Sequence, residues 1–570
     1  MTRSFLGEVF TDMGKEAVRP PPANPRSERG FTKYDRNQPM SEEKRLSLLE
    51  QTREMFVHAY DDYMEHAFPR GELLPLSCRG GDLGLVKLPL VTLVDALDTL
   101  AVMGNASEFR RTARLVTEGL DVSLDQNVSL FETNIRLLGG LLSAHMLASD
   151  KDLGLYDHQV VAGVEPDKED GGGAGGGTYR GELLSLALEL GNRLLPAFRT
   201  RTGIPFGTVN LKSGVPPGET SIASLAGAGS LTLEFTALSA LTGDRRFAEA
   251  AEGAVKELYR RRSDLGLLGK HIDIEKGRWT ELESGVGPNG DSFYEYLLKM
   301  YILWGDVEYW DMFMETYFSV QRFLRDGDWY SDVDMASGRP TRRVFDSLMA
   351  FWPGMQTLIG VHPTECVVHV QCDIESATRS LNAFYLVWKE WGFLPEQFGF
   401  STWELDKRGG HAYPLRPELV ESTMLVYQAS KHPSWLWAGQ DFLSTINNGL
   451  RAGARTEAGD GARDEGGCGF AGVRDVRDWS LEDQMPTFFL SETLKYLYLL
   501  FDEDNFLHKK EYVFTTEAHP LLISAIRAGH TAAAGHTSAM GQGPEAGAKA
   551  ESGGGARGGV RVGTGEGEEN

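Results

Sequence analysis

The chain has 570 residues, a mass of 62.9 kDa and a formal net charge of −24 at pH 7. This acidic balance argues against partners that need a basic face, namely nucleic acids and anionic membrane surfaces. Hydrophobic residues make up 41% of the sequence, enough for a large core arranged as several average domains or as one closed architecture. No run of about 18 apolar residues occurs, so the sequence predicts no membrane span.

Residues 1–40 are polar and contain several prolines, which predicts a disordered leader ahead of a folded body. They lack the apolar core of a signal peptide. Two interpretations follow: either the chain is not secreted by the standard route, or its true start lies further upstream. The sequons that begin at Asn105 and Asn127 are compatible with a lumenal protein.

Residues 41–521 form the predicted body, whose patterns are mostly helical. Phe131, Ile135, Leu138 and Leu142 recur at helical spacing and share one helix face. Similar apolar stripes occupy residues 183–195, 231–241, 293–303, 381–391 and 493–501. The expected fold class is therefore all-α, with helices paired into hairpins. For residues 522–570, the sequence predicts a low-complexity, disordered tail.

Three segments interrupt the helical pattern. Residues 164–177 and 452–467 are rich in glycine and acidic residues and predict solvated loops. Residues 361–372 form an apolar, β-like stretch. The four cysteines, Cys78, Cys366, Cys372 and Cys468, are too few for a disulfide framework and lack the spacing of a zinc site.

Acidic residues recur inside short apolar phrases across nearly four hundred residues. They are Glu132, Asp291, Glu295, Glu418, Glu421, Glu492 and Glu517. Carboxylates avoid apolar surroundings unless they are paired, bound to metal or used in chemistry. Neighbouring acids that share a helix face need a cation or hydrogen-bond donors to offset their repulsion. Independent solvated pairs are the alternative interpretation, but the apolar flanks favour one acidic pocket built from many helices, and therefore an enzyme.

The spacing of Glu132 and Arg136, four residues, places both on one helix face, where they can pair. A glycosidase needs one carboxylic acid to protonate the leaving oxygen and one carboxylate to activate water or attack directly. Phe488 and Phe489, near Glu492, offer an aromatic surface for sugar rings, although aromatic residues in such positions more often belong to the core.

Several of these phrases follow one another in a specific order: FETNIR at 131–136, DSFYEY at 291–296, RPE at 416–418 and TEAHP at 516–520. In that order they resemble glycoside hydrolase family 47, the class I α-1,2-mannosidases, over roughly residues 44–520. The phrases LPLSC at 74–78, YPLRPE at 413–418 and CGF at 468–470 resemble its ER degradation-enhancing α-mannosidase-like (EDEM) subgroup.

The resemblance implies an (α/α)7 barrel, a ring of paired helices whose inner helices line a pocket closed at one end. It implies an inverting hydrolysis that removes α-1,2-linked mannose from N-glycans, with a bound Ca²⁺ holding the terminal sugar. The EDEM subgroup further implies a site of action in the lumen of the endoplasmic reticulum, on N-glycans of misfolded glycoproteins destined for degradation. A thioredoxin-like oxidoreductase is a further partner that the resemblance suggests.

The resemblance also implies roles for individual residues. Glu132 matches the general acid, Glu418 the leading candidate for the base and Asp291 the second candidate. Thr516 matches the residue that offers Ca²⁺ its backbone and hydroxyl oxygens. The residues implied to contact substrate, or to hold waters around the metal, are Arg136, Phe488, Asp95, Glu234, Glu295, Glu421, Glu492 and Glu517.

The resemblance to the EDEM subgroup implies a disulfide between Cys78 and Cys468, the alternative being two free buried thiols. The sequence departs from the family where Pro486 replaces a usual Glu, where Ser347 replaces a His of the typical processing enzymes, and in the extra segment 361–372. None of these departures removes a proposed catalytic acid. A glycan-binding quality-control factor with the same pocket but little turnover is the alternative function.

Overall fold

Helices make up most of the folded body. The computed structural model describes residues 36–82, 84–156, 178–361, 370–453 and 467–529. Its α-helices are α1 (Glu42–His66), α2 (Val91–Val102), α3 (Ala106–Gly119), α4 (Leu130–Glu132), α5 (Gly139–Ser149), α6 (Glu182–Leu194), α7 (Leu225–Gly229), α8 (Thr232–Thr242), α9 (Arg246–Arg260), α10 (Asp291–Trp304), α11 (Val307–Phe323), α12 (Trp352–Val361), α13 (Val370–Trp391), α14 (Glu418–Ser430), α15 (Ser434–Leu450) and α16 (Leu494–Phe501).

Seven helix pairs close into a ring in the described parts of the chain. Six pairs are hairpins of consecutive helices: α2 with α3, α5 with α6, α8 with α9, α10 with α11, α12 with α13, and α14 with α15. The seventh joins the two ends of the body, because α16 packs against α1. The first member of each hairpin and α16 form the inner ring, in which α12 contacts α14, α14 contacts α16 and α2 contacts α5. The (α/α)7 barrel expected from the resemblance is confirmed.

The inner and outer helices differ in how they are buried, and the sequence explains why. Every residue of α2 and of α16 is buried, because an inner helix is covered by its neighbours and by the outer ring. In the outer helix α3, only Phe109, Thr112, Ala113 and Val116 are buried, which leaves the opposite face to water. The predicted stripes at 183–195, 231–241, 293–303, 381–391 and 493–501 all fall on these helices.

Short antiparallel strands lie in the loops between the helices. They pair as β1 (Glu72–Leu74) with β2 (Arg79–Gly81), β3 (Asn127–Ser129) with β4 (Thr208–Asn210), β9 (Arg325–Asp326) with β10 (Trp329–Tyr330), β16 (Gly472–Asp475) with β17 (Ser480–Glu482), and β18 (Tyr512–Phe514) with β19 (Pro520–Leu522). Three-stranded sheets contain β5 (Ile222–Ser224), β6 (His271–Asp273) and β7 (Arg278–Glu281); β8 (Glu283–Ser284), β11 (Asp332–Asp334) and β12 (Pro340–Arg342); and β13 (Phe345–Asp346), β14 (Gln397–Gly399) and β15 (Glu404–Leu405).

A disulfide between Cys78 and Cys468 joins the chain segments on either side of the ring closure, with the two Cα atoms 5.6 Å apart. Backbone hydrogen bonds reinforce this junction: Cys468 N–H donates to the carbonyl of Pro75, and Met485 N–H donates to the carbonyl of Leu73. The predicted pairing is therefore confirmed, and it lies where the first and last helices meet.

The predicted boundaries of the body were too narrow at both ends. Arg36 lies over the ring of Tyr385, 4.1 Å from its centroid, so the folded part begins before residue 41. Residues 523–529 are helical, and Ile526 is fully buried, so the folded part continues past residue 521. Arg527 donates to the carbonyl of Leu303 at 2.9 Å, which anchors this final helix to α10.

Several expectations concern residues outside the described ranges. These are the leader up to residue 35, the loop at 164–177, most of the loop at 452–467, and the tail from residue 530. The sequence predicted a β-like stretch at residues 361–372. This prediction was wrong at both ends of the segment, because α12 ends at Val361 and α13 begins at Val370. Within the described residues, no helix has the length and apolar character needed to cross a membrane.

Candidate active site

A pocket of about 460 Å³ opens into one end of the ring, where the inner helices begin. Asp291 is the first residue of α10 and Glu418 is the first residue of α14, and both line this pocket. The N-terminus of a helix favours a negative charge because its free N–H groups and dipole point outward. Ser292 N–H donates to Asp291 at 2.8 Å in this way.

Burial dominates the electrostatics of these two carboxyls. It raises the pKa of Asp291 to about 7, and the nearby charge of Glu295 adds to the effect. Burial raises the pKa of Glu418 to about 8, although the guanidinium of Arg416, 3.9 Å away, opposes the shift. Either carboxyl therefore exchanges a proton near neutral pH, as a general base must.

Glu132 enters the pocket from a turn that is held at both ends. Ser129 caps this turn, since its hydroxyl accepts the N–H of Glu132 at 3.3 Å. Arg136 Nε donates to Glu132 at 2.9 Å, so the pairing predicted from their spacing is confirmed. Arg136 lies in a π-helical segment, Thr133–Leu138, between α4 and α5. A second π-helical segment, Phe489–Thr493, carries Glu492, and such segments frequently occur at functional sites.

Phe488 contacts two guanidinium groups in the lining of the pocket. The Cζ atoms of Arg136 and Arg416 are each 5.8 Å from the centroid of its ring, within the range of a cation–π contact. Glu396 holds Arg416 with two hydrogen bonds of 2.7 and 3.0 Å, and Ser347 donates to the same carboxylate at 2.9 Å. The arrangement places an aromatic ring beside guanidinium N–H groups, which can donate hydrogen bonds to sugar hydroxyls.

The hairpin of β18 and β19 carries Thr516 to the pocket. Ala518 has a φ of 58°, which turns the chain sharply at the tip of the hairpin. Thr516 N–H donates to the hydroxyl of Tyr296 at 3.3 Å, and that hydroxyl donates to Glu234 at 2.6 Å. Burial raises the pKa of Glu234 to about 7. Thr516 and Glu517 both line the pocket.

A buried network of charged side chains supports the tip of the β18–β19 hairpin. Lys495 donates to Asp98 at 2.6 Å and to the carbonyl of Ala518 at 2.7 Å, and its side chain is fully buried. His519 pairs with the same Asp98 at 2.7 Å and lies 3.5 Å from Asp95. Burial disfavours a charged imidazole, but Asp98 and Asp95 outweigh it and raise the pKa of His519 to about 9.

Two adjacent glycines leave room for His519 against α5. A Cβ atom on Gly139 would lie 3.0 Å from the His519 ring, and one on Gly140 would lie 2.9 Å from a methyl group of Val94 in α2. The bare backbone therefore allows α2, α5 and the hairpin tip to meet at one point.

Replacing Lys495 with methionine is expected to lower the stability of the protein by about 3–5 kcal/mol, because the buried carboxylate of Asp98 loses its strongest partner. Thermal or denaturant unfolding followed by circular dichroism measures the loss. Lys509→Met is the matched control, since that lysine is exposed and lies 3.6 Å from an exposed acid, Asp504. Equal stability of the two variants would contradict the role given to the network.

Lys299 balances the acids on the other side of the pocket. It forms an ion pair with Glu295 on the same helix and lies 3.9 Å from Glu421 on α14. Tyr496 also donates to Glu421, at 3.4 Å. Burial raises the pKa of Glu421, and Lys299 opposes that shift. The sequence predicts a cation or hydrogen-bond donors beside these neighbouring acids, and Lys299 is that cation.

The donor atoms around Thr516 fit a hard divalent cation, which prefers neutral and anionic oxygen ligands. Thr516 offers a carbonyl and a hydroxyl, and Oε2 of Glu234 and Oε2 of Glu418 are buried without a hydrogen-bond partner in the described part of the protein. Across the described ranges, the only trio of His, Cys, Asp or Glu side chains with ligand atoms within 4.8 Å of one another is His66, Cys78 and Cys468. A cation in the pocket would therefore be surrounded by waters that the acids hold, and not by a direct cage of carboxylates.

The structure brings most of the predicted site residues to one pocket. Those that line it are Glu132, Arg136, Asp291, Glu418, Phe488, Glu492, Thr516 and Glu517. Burial raises the pKa of Glu492 well above its ordinary value, and the charges of Glu517 and Glu418 add to the shift. Asp95, Glu234, Glu295 and Glu421 do not line it; they are buried or half-buried behind it, each against a partner described above.

Sequence reasoning missed several residues that hold the site together. Lys299 follows Glu295 by four residues, so helical spacing alone would have found it. Arg416 lies two residues before Glu418, within a motif already singled out in the sequence. Asp98, Lys495 and Tyr296 carry no such signal, because their partners are distant in the sequence.

The closed ring of helix pairs and its pocket of paired carboxyls, aromatic ring and guanidinium groups together define a glycosidase. The chain belongs to glycosyl hydrolase family 47, whose model matches residues 55–523. It is therefore an enzyme of the α-mannosidase class.

Named relatives agree with this assignment. Alpha-mannosidase I MNS5 of Arabidopsis thaliana is 44% identical over 85% of this chain and 78% of its own length. ER degradation-enhancing alpha-mannosidase-like protein 2 of Homo sapiens is 42% identical over 83% of this chain and 77% of its own. The solved α-1,2-mannosidase from Trichoderma reesei superimposes with a TM-score of 0.71 at 26% identity, covering 84% of this chain and 99% of that one.

Proposed function

We propose that this protein is a calcium-dependent, inverting α-1,2-mannosidase that trims N-glycans of misfolded glycoproteins in the lumen of the endoplasmic reticulum. The observation that carries the proposal is the presence of Glu132, Asp291 and Glu418 on the wall of one pocket. The names of the relatives support mannose glycans as the substrate class and the endoplasmic reticulum as the site of action.

In this proposal Glu132 donates a proton to the oxygen that leaves as the glycosidic bond breaks. The ion pair with Arg136 fixes the direction of its carboxyl, and the cap from Ser129 holds its backbone. The base is Glu418 or Asp291, and it removes a proton from the water that attacks the anomeric carbon from the opposite side. Oε2 of Glu418 has no hydrogen-bond partner in the described part of the protein, so it can accept one from that water.

The terminal sugar would lie between Thr516 and Phe488. A Ca²⁺ ion held by the carbonyl and hydroxyl of Thr516 would supply a hard Lewis acid for the sugar hydroxyls. Phe488 offers an aromatic surface to the sugar ring, while Arg136 and Arg416 beside it offer hydrogen-bond donors. Glu234 orients the hydroxyl of Tyr296, and through that hydroxyl it orients the backbone of Thr516.

The direct test is release of mannose from a high-mannose N-glycan with defined α-1,2 linkages, with the anomer of the released sugar followed by NMR. We expect β-mannose as the first product, because inversion at an α-linked centre gives the β anomer. Tight binding of the glycan without release would instead identify a glycan-binding quality-control factor. Release from α-1,3 or α-1,6 linkages alone would contradict the assignment.

Removing calcium is expected to lower both stability and activity. A ligand that binds only the folded state stabilises it by about 2.7 kcal/mol at a hundred times its dissociation constant. Burial raises the pKa of Asp291 and of Glu234 to about 7, so the fold without metal loses stability as the pH rises from about 4, where a carboxyl of the unfolded chain ionises, to about 7. The stabilisation by added Ca²⁺ should therefore grow with pH, as melting curves at several pH values will measure.

Thr516 provides a matched pair of variants for this experiment. Thr516→Ser keeps the hydroxyl and should respond to Ca²⁺ like the wild type, whereas Thr516→Ala loses one ligand and should need a higher concentration. A melting curve and an activity that both survive exhaustive chelation unchanged would contradict a metal in this pocket.

Mannose release is expected to fall as the pH is lowered from about 8 to about 5, because the catalytic base must be ionised and burial raises the pKa of both candidates. The profile of kcat/KM against pH, measured with saturating Ca²⁺, checks this. If Glu418 is the base, the acidic limb should persist in the residual activity of Asp291→Asn. A rate that stays constant down to pH 5 would contradict the expectation.

A further inference from the structure

We propose that His66, Cys78 and Cys468 bind Zn²⁺ when the disulfide between the two cysteines is reduced. One imidazole nitrogen and the two Sγ atoms all lie within 4.8 Å of one another. None of the three residues lines the pocket, so the proposal does not depend on the proposed function. The spacing of the cysteines in the sequence does not indicate a zinc site, because 390 positions separate them and only the closed ring brings them together.

Contacts other than the disulfide hold the two cysteines next to each other. Cys78 lies in the turn between β1 and β2, and Pro75 of the same turn accepts the N–H of Cys468 at 2.9 Å. Asp483 accepts the N–H of Leu76 at 2.8 Å, which fixes the turn to a second segment from the end of the body. No sulfur atom takes part in these hydrogen bonds, so they keep the two cysteines adjacent when the bridge is open.

One face of α1 brings the histidine to this junction. Asp62 and His66 are four residues apart on that face, and Asp62 accepts the N–H of Gly469 at 2.6 Å. His58, one turn earlier, meets the ring of Phe470 edge to face, with 5.6 Å between the ring centroids. The same face of α1 therefore runs along residues 468–470, and its last turn carries His66 to the cysteines.

The chemistry of the three side chains matches Zn²⁺. Two thiolates and one imidazole form the Cys₂His donor set, and soft thiolate ligands select Zn²⁺ over Ca²⁺. Ligand atoms of a tetrahedral zinc site lie about 4 Å apart, which the sulfur atoms reach once the bond between them is broken. His66 is the last residue of α1, where the free carbonyl groups of the helix favour a cation.

The exposure of the three residues differs, and this sets the fourth position of the metal. Cys468 is buried, Cys78 is half-buried and His66 is exposed. The protein therefore encloses the metal on the side of Cys468 and leaves it open to solvent on the side of His66. Water completes the tetrahedron, as it does in zinc sites that have three protein ligands.

Reduction opens the site by a balanced exchange. A dithiol attacks the bridge, forms a mixed disulfide and then leaves as a disulfide itself. The two Sγ atoms gain two electrons and two protons in this exchange. Zn²⁺ then binds the sulfurs as thiolates, and the two thiol protons pass to water. The disulfide and the bound metal therefore exclude each other, and each joins the β1–β2 turn to Cys468 in its own redox state.

The first experiment titrates the reduced full chain with Co²⁺ and then with Zn²⁺. The chain carries Cys366→Ser and Cys372→Ser, because those two cysteines also provide thiols after reduction. Ca²⁺ is present at saturation to occupy any calcium site, and the dithiol is removed by gel filtration without oxygen. We expect a thiolate-to-cobalt charge-transfer band that saturates at one Co²⁺ per chain and disappears when Zn²⁺ is added. The oxidised protein should show no such band.

The second experiment locates the ligands in the unmodified chain. Zn²⁺ should protect Cys78 and Cys468 of the reduced protein from alkylation by iodoacetamide, as peptide mass spectrometry will show. His66→Ala should lower the affinity for Zn²⁺ by about 100-fold or more, because losing even an outer partner of a metal ligand costs 10–100-fold. His432→Ala is the matched control, since His432 is exposed and lies outside the trio, and its affinity should equal that of the parent chain.

Circular dichroism follows the fold of the reduced protein in both experiments. If the reduced chain loses helix without metal, Zn²⁺ should restore the helical signal in the parent chain and in His432→Ala, but not in His66→Ala at the same concentration. A reduced chain that shows neither the cobalt band nor protection of the two cysteines overturns the proposal. Equal affinity for Zn²⁺ in His66→Ala and in the parent chain also overturns it, because the imidazole would then not be a ligand.

Discussion

Glu132→Gln and Glu418→Gln are each expected to lower mannose release by about 10²–10⁴-fold while leaving the fold intact, because loss of a general acid or base costs that much. Glutamine keeps the size of each side chain and, at position 132, can still accept the hydrogen bond from Arg136, but it can neither donate an acidic proton nor accept one. Initial rates on a defined α-1,2-linked glycan measure the effect, and melting curves with Ca²⁺ show that the barrel remains folded.

A substrate with a good leaving group separates the two roles. Mannosyl fluoride needs little help from an acid, so Glu132→Gln should recover much of its activity on it, whereas Glu418→Gln should not. Glu404→Gln is the matched control, since Glu404 lies on the exposed strand β15 and should behave as the wild type. Near-normal turnover of the glycan by either pocket variant would refute its assigned role, and full loss in Asp291→Asn with activity retained in Glu418→Gln would make Asp291 the base.

Breaking the disulfide is the second change for which a large effect is expected. Cys78 and Cys468 are separated by 390 positions, and the chain-entropy account assigns roughly 6 kcal/mol to a bridge that closes so long a loop. The bridge also lies where α1 and α16 close the ring, so its loss should loosen the first and last helix pairs before the rest. Denaturant unfolding and limited proteolysis of Cys78→Ser/Cys468→Ser measure the global and the local effect.

The single variants Cys78→Ser and Cys468→Ser control for effects of the serine itself. Each removes the same bridge, so the double variant should lose no more stability than either single one. Peptide mapping of unreduced protein from the lumen provides the complementary check. Two free thiols there, or a double variant as stable as the wild type, would show that the bridge does not support the ring.

The sequence predicted the individual helices because helices are local. A stripe such as Phe131, Ile135, Leu138 and Leu142 is a property of one segment, and the structure has helical backbone throughout it. The Glu132–Arg136 pair was predictable for the same reason, since four residues of helix bring the two side chains together. The resemblance to a known family supplied the closure into seven pairs and the disulfide, which no local pattern contains.

By itself, the sequence determined which segments are helical and which acids are too deeply set in apolar phrases to be surface charges. Only the tertiary structure decided which partner each of the buried charged side chains has. Asp98 pairs with Lys495 and His519, some four hundred residues away, and Phe488 contacts both Arg136 and Arg416. These partnerships join different helix pairs, and a buried charge is stable only where the fold brings its partner, so the pairing is a property of the closed barrel and not of any one helix.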